Sequence, residues 1–453
     1  MKQAGKQFAV AQVGGMDYEG RGVARVAGKT LFIRGALPLE QVAYRVVRSK
    51  KQFDEAETVA VLAASPQRVQ PKCGYFDTCG GCALQHVEPL GQVAYKQRMV
   101  AEQLQRIGKV QPRQWLAPIY GWAWGYRQRA RLSVAVDAAG RLKLGFQARQ
   151  THEVVDIAAC PVLPAHVSAL LPSLQSMLAQ LAVAGMESLF VECSVGDAVT
   201  VLNIATRKRP SESALQILRQ FADGLNGVGA PGWQIWLQHG QEAYPFYPLN
   251  APVLQYRLPE FDITLPYRSG DFTQINADTN ALMVARSLRL LDVQPGDRVA
   301  DLFCGLGNFS LPMAKKGAQV LGIEGADYLV RRARDNARLN GCETNVRFQT
   351  ADLFEAHPGT VAAWGQLDKM LLDPPRSGAY AVVQALHEPY LPQRIVYVSC
   401  NPATFARDAA VLVEKGYDFM AAGIMNMFAQ TAHVETIGWF EKSRSRQAAG
   451  GEV

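Results

Sequence analysis

Two periodicities divide the chain. Over residues 6–63, short apolar runs alternate with Gly, Asp and Pro: Gln7–Val13, Val23–Val26, Thr30–Ile33, Gln41–Val47 and Glu57–Leu62. That spacing predicts five short strands forming a small OB-like β-barrel, a shape that binds nucleic acid through one sheet face. Ser65-Pro66 and Gln70-Pro71 then mark a linker. Ala94–Ile107 carries its apolar residues at helical spacing and stops at Gly108. Between about 120 and 270, strand-like and helical stretches alternate without a strong repeat. From Asp278 the pattern turns to βαβ. Helices are predicted over Asp278–Leu291, Phe309–Lys316 and Asp327–Leu339, the last stopped by Asn340-Gly341. Strands are predicted over Arg298–Phe303, Ala318–Ile323, Val346–Gln349, Lys369–Leu372 and Ile395–Val398. Alternation at this rhythm means an α/β fold with a doubly wound parallel sheet.

A length of 453 residues allows two or three full-sized cores, and 48% hydrophobic residues exclude a largely disordered chain. No apolar run approaches the roughly 18 residues that span a bilayer. The segment Met1–Val10 is polar and basic, without the apolar core of a signal peptide. A cytoplasmic protein with no membrane partner is the expectation.

The net charge of +7 is uneven: residues 1–70 hold eleven Lys/Arg against six Asp/Glu. Such asymmetry suits a polyanion held through its phosphates, although a solvated basic surface would look the same. Tyr120, Trp122, Trp124 and Tyr126 interleave with Arg127, Arg129 and Arg131. That mixture suits base stacking with phosphate contact; a strand with aromatics inward and arginines outward is the plainer reading.

Eight cysteines in a cytosolic chain are not expected to be disulfide staples. Cys73, Cys79 and Cys82, with the distant Cys160, read as a cage for a metal or cluster. Four thiolates so spaced could hold zinc or an iron–sulfur cube, and one CxxC with two wider arms is less typical of zinc. Cys193, Cys304 and Cys342 read as packing residues or helix-end thiols.

Cys400, at the C-terminal edge of the predicted sheet, reads differently. A thiolate there could add to carbon 6 of a uracil, turning carbon 5 into an enolate carbon able to attack a methyl sulfonium. A base must then take the carbon-5 proton, and Glu435 in His433-Val434-Glu435 is the candidate. Upstream, the strand ending at Phe303 runs into Cys304-Gly305-Leu306-Gly307 and a helix, with Glu324 nineteen residues after Gly305. Glycines let a ligand approach the backbone, and an acid at that distance takes ribose hydroxyls. Ser310 stands where a dinucleotide fold would want a third glycine, which favours S-adenosylmethionine as the ligand. Asp352 is placed to reach the adenine edge. Asp373-Pro374-Pro375-Arg376 has an arginine where N-methylating enzymes carry an aromatic, which argues against amino-group methylation.

Together Phe272-Thr273-Gln274-Ile275-Asn276, Asp301–Gly307 with Asn308, Asp373-Pro374-Pro375-Arg376, Ser399-Cys400-Asn401-Pro402 and His433-Val434-Glu435 resemble the uracil-C5 RNA methyltransferase family. The resemblance implies a class I, Rossmann-like domain using S-adenosylmethionine, with Cys400 as nucleophile and Glu435 as proton acceptor. It also implies that Gln274, Phe303, Asn308, Glu324, Asp352 and Asp373 bind the cofactor or line its pocket. Residues 1–65 resemble the TRAM barrel of the ribosomal-RNA branch. Cys73, Cys79, Cys82 and Cys160 resemble its [4Fe–4S] site. The implied layout is a barrel over 1–65, an α+β central RNA-binding domain over 66–270 (with helix 94–108 able to pack on the catalytic part), a methyltransferase domain over 271–445, and a tail over 446–453. The implied partner is 23S ribosomal RNA; a monomer is the expectation. Another RNA uracil is the alternative target. A DNA cytosine-C5 enzyme would want Pro before its Cys, where Ser399 stands, and intact Cys400, Glu435 and Glu324 count against a non-catalytic RNA binder.

Overall fold

The structure, a computed structural model, describes residues 8–227, 232–240 and 242–443. The tail over 446–453 and Gln7 lie outside the described residues.

The N-terminal unit is a single sheet of six strands: Ala9–Gln12, Gly15–Met16, Gly22–Val26, Lys29–Arg34, Gln41–Ser49 and Phe53–Ala63. Val13, Ala24, Leu31, Ile33, Val42, Tyr44 and Ala56 fill its interior. The strand beyond the expected five, Gly15–Met16, is two residues long and leaves no period-two signal to read. The last strand starts at Phe53 rather than Glu57 because Asp54 and Glu55 have cross-strand partners: Lys29 Nζ lies 2.6 Å from Asp54 and Arg21 3.4 Å from Glu55. Glu40 is fully buried and receives Arg68 Nε at 2.5 Å and the backbone N–H groups of Leu37 and Ser65. This charge-assisted cluster fastens the barrel to the linker.

The central unit is a seven-stranded sheet in the spatial order Val154–Asp156, Leu142–Gln147, Arg129–Val136, Ser188–Val195, Val199–Thr206, Gly232–His239, Glu242–Tyr247. Its one parallel pair, Val199–Thr206 with Gly232–His239, is joined through the helix Glu212–Asn226. That helix starts on the Ser211 hydroxyl, which accepts from Ala214 N.

The C-terminal sheet has eight strands. Val346–Thr350, Gln319–Glu324, Arg298–Leu302, Lys369–Leu372 and Arg394–Ser399 run parallel in that order. Glu435–Lys442 is antiparallel to the last of them, followed by Tyr417–Met425 and Gln114–Trp115. The inner strands read as unbroken apolar runs because helices cover both faces. Gly322 is required here: a Cβ would stand 2.5 Å from the Phe348 ring.

Residues 89–119 belong physically to this sheet. Helix Pro89–Gln103 and the π turn Leu104–Gly108 bury Val93, Met99, Val100 and Leu104 against Ile395, Tyr397, Phe405 and Leu412. Gln114–Trp115 then adds an edge strand beside Ala421 and Ala422. The hairpin Gln255–Leu258 and Ile263–Pro266 also packs on the core of this sheet, through Leu258, Ile263 and Leu265. Among the described residues no helix is long and apolar enough to cross a membrane.

Candidate active site

The C-terminal ends of the parallel strands open into one cavity of about 530 Å³. Gln274, Phe303, Asn308, Glu324, Asp352, Asp373, Cys400 and Glu435 all line it, so residues up to 161 positions apart in sequence meet in one space.

The cofactor-side wall begins where Arg298–Leu302 ends. Phe303 takes a left-handed backbone, φ 65°, a conformation that costs a non-glycine residue roughly 1–3 kcal/mol and clusters at functional sites. Its ring lies 5.7 Å from that of Phe354, and both face the cavity. Gly305 follows at φ 54°, with open space where a side chain would go. Glu324 Oε2 accepts from Gly305 N at 3.1 Å and its Oε1 from Ala326 N at 3.1 Å, so the acid is held rigidly at the mouth of the loop. Asp352 caps the short turn after its strand, accepting from Phe354 N at 2.8 Å. Asn308 reaches the cavity, but its amide is engaged: it exchanges two hydrogen bonds with Asn280 and receives Tyr256 OH at 3.1 Å. Its part is to fix the loop onto the helix Ala277–Leu291. Ser310, read from the sequence only as a missing glycine, donates to the buried Asp301 carboxylate at 2.5 Å. Burial pushes the Asp301 carboxyl up to about 7.

The opposite wall carries Cys400. Ser399 and Asn401 shape its turn: Asn401 N donates to Ser399 Oγ at 3.2 Å, and the Asn401 side chain caps the helix Pro402–Glu414. Asn401 Nδ2 and Thr404 Oγ1 both donate to Arg376 O, tying this turn to the Asp373–Arg376 loop. Burial, then the Glu435 and Asp373 carboxylates, push the Cys400 thiol up to about 12, against a smaller pull from Arg376. Burial also raises Asp373 to about 7. Glu435 is 4% exposed, its Oε2 has no hydrogen-bond partner among the described residues, and burial followed by Asp373 holds its carboxyl well above the usual range. Arg376 is spent on His433, Nη2 to Nε2 at 3.1 Å. Burial and Arg376 depress that imidazole to about 4, so it stays neutral.

Phe428 and His433 line the same wall, and neither was singled out by residue type alone. They sit on the loop between Tyr417–Met425 and Glu435–Lys442, which rests on buried polar groups of the helix Pro89–Gln103. Nothing in the sequence flags those supports, because a Gln or Lys on an amphipathic helix looks like its wet face.

Cys73, Cys79, Cys82 and Cys160 line a second, smaller cavity of about 60 Å³, together with Tyr75, Arg127 and Phe146. All four thiols are free. Gly80 N donates to Gln147 O at 3.0 Å, and Arg149 donates to the carbonyls of Phe76, Cys79 and Cys82, so the strand that leads back to Cys160 clamps the first three. Among the described residues no three His, Cys, Asp or Glu side chains converge tightly enough for a single metal ion.

The aromatic–arginine segment does not act as one surface. Tyr120 and Trp122 are exposed, whereas Tyr126 is buried and donates to Ala429 O at 2.6 Å. Arg129 and Arg131 both pair with the buried Glu192.

A family model described as tRNA (Uracil-5-)-methyltransferase matches residues 253–443. A 23S rRNA (uracil(1939)-C(5))-methyltransferase RlmD of Neisseria lactamica is 58% identical over 433 residues, covering 95% of each chain. One from Azoarcus sp. is 50% identical, covering 95% of this chain and 99% of its own. Among solved structures, the tRNA (uracil-54, C5)-methyltransferase of Pyrococcus abyssi, in complex with S-adenosyl-L-homocysteine, superposes with a TM-score of 0.70. It covers 95% of this chain and 99% of its own at 21% identity, a likeness of fold. With relatives this similar along nearly its whole length, the chain belongs to the RlmD family of 23S rRNA (uracil(1939)-C(5))-methyltransferases.

Proposed function

We propose that this chain transfers a methyl group from S-adenosylmethionine to carbon 5 of uracil 1939 in 23S ribosomal RNA, the substrate named for its relatives. The observation that carries the reading is the single cavity in which a thiol, a buried unpartnered carboxyl and the cofactor-loop residues meet. When bound, the cofactor supplies an electrophilic methyl on a positively charged sulfur. Phe303, Phe354, Glu324 and Asp352 offer two rings and two carboxylates suited to its base and ribose. Gln274 and Asp373 line the same cavity.

Cys400 Sγ bonds to carbon 6 of the uracil, and the double-bond electrons move onto the carbonyl at carbon 4. Carbon 5 then takes the methyl, and the cofactor leaves as a neutral thioether. Glu435 removes the proton from carbon 5, the ring double bond re-forms, and the carbon–sulfur bond breaks to free Cys400. A raised carboxyl suits this role, because a base must hold a proton well once it has taken it. The raised thiol has a matching logic: beside two carboxylates Cys400 rests protonated, and a positive sulfonium nearby would lower its pKa, so that the thiol gives its proton to solvent and attacks as the thiolate.

Cys73, Cys79, Cys82 and Cys160 would hold a [4Fe–4S] cluster. Their donor set is all sulfur and they share one cavity, and one CxxC with two wider arms suits an iron–sulfur cube better than zinc. No step above moves electrons, so the cluster shapes structure and the RNA-facing surface. The division into barrel over 1–65, central domain over 66–270 and catalytic domain over 271–445 remains part of this reading, with 89–119 as a central-domain segment packed on the catalytic sheet.

The test uses ribosomal RNA tritiated at uracil carbon 5. Release of tritium dependent on S-adenosylmethionine, with 5-methyluridine mapped to one large-subunit fragment, is the expected result. Release from transfer RNA alone, or none from any RNA, would overturn it.

A further inference from the structure

The segment that follows Cys82 is bonded directly to the loop that forms the substrate-side wall of the active site. Ala83 N and Leu84 N both donate to Gln430 O, each at 2.9 Å. The Gln92 amide completes the junction. Its Nε2 donates to Leu84 O (3.1 Å), Val87 O (2.9 Å) and Gln430 Oε1 (3.0 Å), while its Oε1 accepts from Gln430 N at 2.9 Å. Gln92 is wholly buried and Gln430 is 1% exposed, with a left-handed backbone at φ 67°. One helical turn on, Lys96 is 2% exposed and donates from Nζ to Asn426 Oδ1 at 2.7 Å and to Phe428 O at 2.9 Å. Tyr126 OH holds the intervening Ala429 O at 2.6 Å. The loop so held, 426–434, presents Phe428 and His433 to the cavity and leads into Glu435.

We propose that Gln92 and Lys96 are positioning residues for the methyl-transfer site, and that through Gln92 the cysteine-bearing segment and the substrate-side wall form one mechanical unit. Burial gives the argument its force. Each amide or ammonium here has exchanged water for a fixed set of partners, so the loop has one low-energy placement rather than many. A loop with a left-handed glutamine at its centre would not choose that placement unaided. The cofactor wall receives no bond from Gln92 or Lys96, so the unit acts on the uracil side alone. In its catalytic consequence the proposal rests on the function proposed above; in its mechanical content it does not.

The experiment is hydrogen exchange by mass spectrometry on the full-length protein, comparing wild type with Gln92→Met and Lys96→Met, alongside titration with S-adenosylmethionine and steady-state methylation. The expected result is exchange at least tenfold faster in 426–434, unchanged exchange in the strands Arg298–Leu302 and Gln319–Glu324, cofactor affinity within twofold of wild type, and kcat lower by tenfold or more. Cys79→Ser, which disturbs the other end of the unit, should also speed exchange in 426–434. Unchanged exchange in that loop in both helix variants would overturn the proposal, as would cofactor affinity falling in step with kcat. If one variant does not fold, the other decides, since each breaks a separate set of bonds to the same loop. A wild type that methylates no RNA but shows the exchange pattern would refute the proposed function and leave the mechanical unit standing.

Discussion

Cysteine is used in two opposed ways in this molecule. In the cage, four thiols face one another with one guanidinium, Arg127, in the wall and a second, Arg149, clasping the loop carbonyls behind. At the active site a single thiol faces two carboxylates, Glu435 and Asp373, and the one nearby guanidinium is turned to His433. Burial raises the thiol pKa in both places, Cys160 and Cys400 alike to about 12. What differs is the charge that could relieve it. The cage offers mutually repelling ligands that a resident cation would satisfy permanently. Under the proposed mechanism Cys400 meets a positive charge that arrives and departs with each turnover. Burial alone therefore does not mark a thiol as reactive or structural; the company of charges does.

The sharpest way to separate the two regions is to remove one thiol from each. Cys400→Ala should lower methylation by about 10⁴-fold or more, because carbon 5 of uracil is not nucleophilic unaided, while cofactor binding and cluster absorbance stay as in wild type. Tritium release and the visible spectrum read both halves. Glu435→Gln should cost roughly 10²- to 10³-fold in turnover and leave methylated RNA attached through Cys400, seen as a protein–RNA band stable to denaturant. Absence of that band would remove Glu435 from the elimination step.

A pH profile tests the charge argument itself. The thiolate is the reactive form, and in the free enzyme the Cys400 pKa lies at about 12, so its thiolate fraction rises about tenfold per pH unit across pH 7–9. Glu435, also raised, ionises in the same direction. Hence kcat/KM should climb about a hundredfold between pH 7 and pH 9. A flat profile would mean that neither proton limits the free enzyme. The smallest effect is expected at the cage: Cys79→Ala should abolish the brown absorbance after anaerobic purification and weaken RNA binding about tenfold, about 1.4 kcal/mol, with cofactor affinity unchanged. Wild-type absorbance in that variant would remove Cys79 from the ligand set.

The parts of the molecule legible in the sequence share one property: they are local. Strand, glycine turn and helix around Asp301–Gly307 occupy a dozen neighbouring residues, and the helix over Ala277–Leu291 carries its own Asn276 cap. The cavity residues lie at strand ends of a parallel sheet, where the topology brings them together whatever separates them in sequence. Long-range pairings were harder to read. The two residues Gln114–Trp115 gain their strand only from Ala421 and Ala422, three hundred positions on, and carry no pattern of their own. Gln92 and Lys96 resemble solvent-facing residues until the loop above them is known. Arg129 and Arg131, open in the sequence to phosphate contact or to the water-facing side of a strand, both pair with the buried Glu192, an acid sixty residues away.

The docking of residues 89–119 has a consequence for how the protein is made. The strands that this helix and edge strand complete, Arg394–Ser399 and Tyr417–Met425, emerge from the ribosome some three hundred residues after them. At a synthesis rate of roughly 5–20 residues per second, the apolar face of Val93, Val100 and Leu104 waits some fifteen seconds to a minute for its partner. The barrel and the central sheet can fold during that interval. The catalytic core cannot close until Glu435–Lys442 has left the ribosome, so the helix face and the site it supports are completed only by residues made some three hundred positions later.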